Sequence, residues 1–76
     1  MPTPKAKAAF NEASRIAAEM RTINAKENAL NEAIDGALHE SLRSILEDQF
    51  IRLCAEWQQL HLDFNLAFDE YTAAAE

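Results

Sequence analysis

From Leu46 to Tyr71, alternating steps of four and three land on apolar side chains without a miss: Leu46, Phe50, Leu53, Trp57, Leu60, Phe64, Ala67 and Tyr71. A repeat of about 3.5 residues held over that distance is the seam of a helix that packs lengthwise on another helix, whereas a strand repeats every second residue. Five of the six aromatic residues (Phe50, Trp57, Phe64, Phe68, Tyr71) lie on the same stretch. The rest of the chain is expected to cover this seam.

A second seam of the same period precedes it: Ala9, Ala13, Ile16, Met20, Ile23, Glu27, Leu30 and Ile34. It is slimmer, and Ala6, Phe10, Ala13 and Ala17 broaden its first half with mostly small side chains that permit close approach by a helix carrying large ones. Glu27 interrupts it. A carboxylate at such a position either reaches out to water on its methylene stem or fixes the register of the pairing, as polar seam residues do.

Helix boundaries follow from local chemistry. Thr3 before Pro4 is a good start, the hydroxyl capping free amides and the proline fitting the first helical position. Asp35-Gly36 is the expected break, with Gly36 taking the left-handed conformation that ends a helix. Two helices are thus predicted at about 4–34 and 37–74, the first on the order of 46 Å long at 1.5 Å per residue. Leu38, Leu42 and Ile45 are expected to be buried in the first turns of the second helix, on a stripe offset from the main seam, with a local adjustment at 42–46. Asn24–Glu27 and Ser44–Glu47 each have the form of a capping box, and the second keeps open a three-helix version with a break near 42–46. Asp48 and Arg52 form an acid-then-base i,i+4 pair, and Ala73 to Glu76 should fray.

The expected fold is all-α: a single helical domain over 1–76, an antiparallel hairpin. One hairpin cannot cover both sides of its seams, so two copies in a homodimeric four-helix coiled-coil bundle are expected. A chain of 76 residues is short of core. The single cysteine, Cys54, rules out an internal disulfide, and self-association is the common remaining means of support. The oligomer seam is read as Ile16, Met20, Ile23, Leu30, Ile34, Leu46, Phe50, Leu53, Trp57, Leu60, Phe64 and Tyr71. Cys54, His61 and Phe68 flank it and broaden the face.

The net charge of −6 is unevenly distributed. Residues 1–39 balance five bases with five acids, while residues 40–76 set Arg43 and Arg52 against eight acids. No base follows Arg52. Such a surface repels a phosphate backbone, so direct nucleic-acid binding is not expected, and a partner protein with a basic surface is the natural complement. Neither a signal-peptide core nor a membrane span is present in the sequence, and a reducing, cytoplasmic setting fits the lone cysteine.

Catalytic and cofactor chemistry find little here. His39 and His61 stand 22 residues apart on one predicted helix, roughly 33 Å. Cys54 and His61 are two turns apart, too far for a thiol and its base, and Cys54 is expected to be a small buried hydrophobe. The Glu-x-x-His of di-metal bundles is absent, since Gln58 and Gly36 occupy the third position before the histidines. Glu56, His61 and Asp63 fall short of a four-ligand set. No enzyme, metal or cofactor is expected. In shape, a hairpin dimer resembles the small RNA-binding hairpins that control plasmid copy number, whose RNA face is basic where this surplus is acidic.

A second apolar stripe remains on the back of the second helix: Ile51, Ala55, Leu62 and Leu66, bordered by Asp48, Asn65 and Asp69. It is expected either to join protomers or to bind a different protein. The chain reads as an acidic interaction module, an inhibitor or modulator of a basic partner such as a nucleic-acid-binding protein, of the kind found among phage or plasmid accessory proteins. The alternative is a structural subunit or assembly chaperone that completes a larger bundle.

Overall fold

A computed structural model describes residues 3–75, and two helices account for nearly all of them: α1, Pro4–Gly36, and α2, Glu40–Ala75. They run antiparallel in a hairpin 57 Å long and only 15 by 12 Å in section. That section is a single layer of helices, since one helix with its side chains is about 10–12 Å across.

Thr3 caps α1 as its sequence suggests. The Ala6 N–H donates to Thr3 Oγ1 at 3.0 Å, and Pro4 opens the helix. The same hydroxyl lies 3.5 Å from the Ala74 carbonyl, which brings the two ends of the hairpin together. Cross-helix pairs then step inward in opposite directions along the two helices. Phe10 meets Tyr71, Glu27 meets Cys54, and Arg43 meets the carbonyl of Ile34.

The turn differs from expectation. α1 continues through Gly36, whose φ is not positive, and the exit is made by Ala37 in extended conformation. A helix end needs partners for its last carbonyls, and a left-handed glycine is one way to supply them. Here the Ala37 N–H closes on the Ile34 carbonyl at 3.2 Å, and the Arg43 guanidinium reaches that carbonyl from the other helix at 3.4 Å. The connection is Ala37, Leu38 and His39, and α2 begins at Glu40 rather than 37.

Leu38, Leu42 and Ile45 are exposed, at 95, 47 and 57%, not buried. Leu38 lies in the turn outside both helices, and the half-buried positions of α2 begin only at Leu46. No break or adjustment occurs at 42–46, so the three-helix version is ruled out, and neither capping-box sequence starts a helix. The helix also persists to Ala75 where fraying was expected. Glu76 lies outside the described residues. Asp48 and Arg52 do not form their expected pair. Among the described residues the ion pairs are those of Arg15 with Glu12 and Glu19 on exposed α1, worth little in water.

The interior is thin. Among the described residues only Ala6, Ala9, Ala13, Ile16, Ile23 and Ala67 are buried, and no large side chain is fully enclosed. Ile16, Ala13 and Ala67 form the centre, with Met20, Leu60 and Phe64 packed against them.

Candidate protein interaction site

Every large residue of the two seams is accounted for. Ile16 and Ile23 are buried, while Met20, Leu30, Ile34, Leu46, Phe50, Leu53, Trp57, Leu60, Phe64 and Tyr71 are half-buried. The reason is geometric. Alanine-rich α1 is too narrow to cover the aromatic face of α2, and there is no second layer in the hairpin. Part of most seam side chains therefore meets solvent.

The layer has two unlike broad sides. On one lie the aromatics. Phe10 and Tyr71 approach to 5.6 Å across the helices, Phe68 is 6.3 Å from Tyr71 and 6.1 Å from Phe64, and His61 stacks on Trp57 at 5.0 Å with planes 8° apart. A groove of about 370 Å³ follows this side, lined by Ala17, Met20, Arg21, Asn24, Trp57, His61 and Phe64. Phe10 and Phe68 are more than half exposed, at 54 and 51%. The Trp57 indole Nε1 is buried and has no acceptor in reach.

Toward the turn, the same side continues into a groove shared by Asn24, Glu27, Cys54, Trp57 and Gln58. There the Cys54 thiol donates to Glu27 Oε2 at 3.3 Å. Cys54 is thus not the small buried hydrophobe expected from sequence. It is half-buried and hydrogen-bonded. Desolvation, then the hydrogen bond and negative charge of Glu27, push its thiol above the ordinary value. A thiol held protonated in this way is a poor nucleophile.

The opposite broad side is polar. Glu19, Glu56 and Gln59 surround a groove over Ile23 and Leu60, and Gln59 donates to Asp63 at 3.1 Å. Its acid-base chemistry is that of a solvated face: the hydrogen bond from Arg15 holds the Glu12 carboxyl below its usual value. Nearer the turn, Lys26, Arg52 and Gln49 rim an apolar groove of about 430 Å³ over Ala29, Leu30 and Leu53. Arg52 takes part in this groove instead of pairing with Asp48.

The narrow back of α2, turned away from α1, carries the stripe singled out in the sequence. Asp48, Ile51, Ala55, Leu62, Asn65, Leu66 and Asp69 are all exposed. Ile51, Leu62 and Leu66 stand 64, 58 and 64% exposed with acids at both ends of the strip. The aromatic side is the surface that sequence reasoning left without a role. Its signal was present at positions 54, 61 and 68, which flank the main seam, but whether α1 covers them depends on tertiary geometry.

Among the described residues, no group of three or more His, Cys, Asp or Glu is placed to hold a metal ion. Neither helix is both long and apolar enough to cross a membrane. Compared with protein-family models, curated proteins and solved structures, the chain matches none.

Proposed function

We propose that this protein is a helical interaction module that works as a homodimeric four-helix bundle and binds another protein with a basic surface. The observation that carries the reading is the back of α2. Ile51, Leu62 and Leu66 stand exposed in line on a rigid helix, bordered by Asp48 and Asp69. An apolar helix stripe with an acidic border fits an apolar groove ringed by lysine or arginine. Complementary charge of this kind speeds association and selects the partner, while the apolar residues supply holding energy. A partner whose basic surface serves to grip nucleic acid would be blocked by such a module, which makes inhibition its natural mode of action.

The test is affinity capture from the native host, followed by titration of the purified partner. Affinity is expected to fall with added salt and to fall about tenfold or more on Leu62→Asp or Leu66→Asp, the loss typical of a central apolar contact. Unchanged affinity in both variants, with helicity intact, removes this face from the reading.

A second reading, a structural subunit or assembly chaperone, draws on the half-buried seams, which a larger bundle would also complete. It predicts mass growth beyond two copies as concentration rises and little response to salt. Light scattering across a concentration series distinguishes the two.

A further inference from the structure

We infer that the aromatic side of the hairpin, containing Phe10, Trp57, Phe64, Phe68 and Tyr71, is the face on which a second copy of this chain docks, leaving the back of α2 outside the dimer. This rests on the homodimer reading above and assigns it a face.

Three observations favour a second copy at this position. The first is charge. Each chain carries −6, so two copies approach with least repulsion where acids are fewest. The grooves of the aromatic side are lined by one base, Arg21, and one acid, Glu27. On the back of α2, by contrast, a twofold pairing would set Asp48 and Asp69 of one copy among the same acids of the other. The opposite broad side mixes Glu12, Glu19, Glu56 and Asp63 with Arg15, Lys26 and Arg52, and neither exposed phenylalanine lies on it.

The second observation is area. A layer 57 Å long and 15 Å wide presents a side of roughly 850 Å², close to the ~800 Å² per partner that a stable interface buries. A self-complementary side used by both copies is the commonest way to build a closed dimer. Phe10 and Phe68, each about half exposed, are the residues such a pairing would enclose.

The third is Trp57 itself. Its ring is half-buried in the hairpin and lines the groove of this side, so part of it is left for a second layer to cover.

Trp57 is the only tryptophan, which gives the pairing its own probe. The wild-type protein is diluted while mass is followed by light scattering and Trp57 emission by fluorescence. A mass twice the 8.5 kDa chain is expected at high concentration, with emission moving to longer wavelength in step with dissociation. Emission that stays fixed while the mass halves would overturn the assigned face. A single-chain mass at every concentration would overturn the homodimer itself, a separate outcome.

Substitutions provide the second arm, with helicity checked by circular dichroism. Phe68→Glu and Phe10→Glu are expected to weaken dimerisation by about tenfold or more, as loss of an aromatic anchor does, and Leu62→Asp to leave it unchanged. The reverse pattern moves the dimer to the back of α2 and sinks the inference. Should Phe68→Glu fail to fold, the dilution of the wild-type chain still decides.

Discussion

At the scale of single residues, the Cys54–Glu27 contact is the most unusual chemistry in the hairpin. A thiol donates to a carboxylate inside an otherwise apolar seam, and both burial and the carboxylate disfavour its ionisation. The sign of the consequence is fixed by linkage. Because the folded chain holds the proton more tightly than the unfolded chain, the contribution is fully present below the ordinary thiol pKa of about 8.5 and is lost as pH rises through the raised value. Denaturation midpoints measured from neutral pH to about pH 10 should therefore fall more steeply for the wild type than for Cys54→Ala; parallel curves would show an unperturbed thiol. A disulfide-exchange reagent at pH 8 should react more slowly with the folded than with the urea-unfolded protein.

At the scale of the helices, the ends test how the turn is built. Thr3→Ala removes the cap of α1 and should cost about 1 kcal/mol in a chemical denaturation curve. Gly36→Ala separates two pictures of the turn by sign. In a left-handed glycine, alanine would be strained and destabilising. Gly36 is instead the last residue of α1, and a Cβ there meets nothing within 4 Å. Alanine is therefore expected to add about 0.5 kcal/mol, since it loses less backbone freedom on folding. The seams themselves were legible in the sequence because periodicity reports directly on which side chains share a helix face, as from Leu46 to Tyr71. The turn was not, because Asp35-Gly36 carries a strong local stop signal, while what satisfies the Ile34 carbonyl is Arg43, nine residues on and in the other helix. Leu38 falls outside α2 for the same reason, since the turn residues set where the helix begins, while Leu42 and Ile45 lie on a stripe offset from the seam that meets α1 only from Leu46 on. The back of α2 could be read from sequence as apolar and acid-bordered, but which residues remain uncovered on the aromatic side depends on how far slim α1 reaches, and periodicity does not record that.

At the scale of the whole molecule, charge is unevenly spread over the apolar surfaces, and this separates the two proposed interfaces by their response to salt. Acids border the apolar strip on the back of α2, while the grooves of the aromatic side are lined by one base and one acid. Two chains of −6 repel one another wherever they meet, and ions at about 0.15 M screen exposed charges beyond roughly 8 Å. Dimerisation through the aromatic side should therefore hold or tighten as salt is raised, because screening removes repulsion and leaves the apolar contacts. Binding of a basic partner to the back of α2 should weaken over the same range, because screening removes attraction. Sedimentation equilibrium of the pure protein and titration of the captured partner, both run from about 0.05 to 0.5 M sodium chloride, should give slopes of opposite sign. A dimer that dissociates with salt would mean that ion pairs hold the copies together. The aromatic side, with one base and one acid along its grooves, offers too few to do so, and the acid-rich back of α2 has no base to answer them.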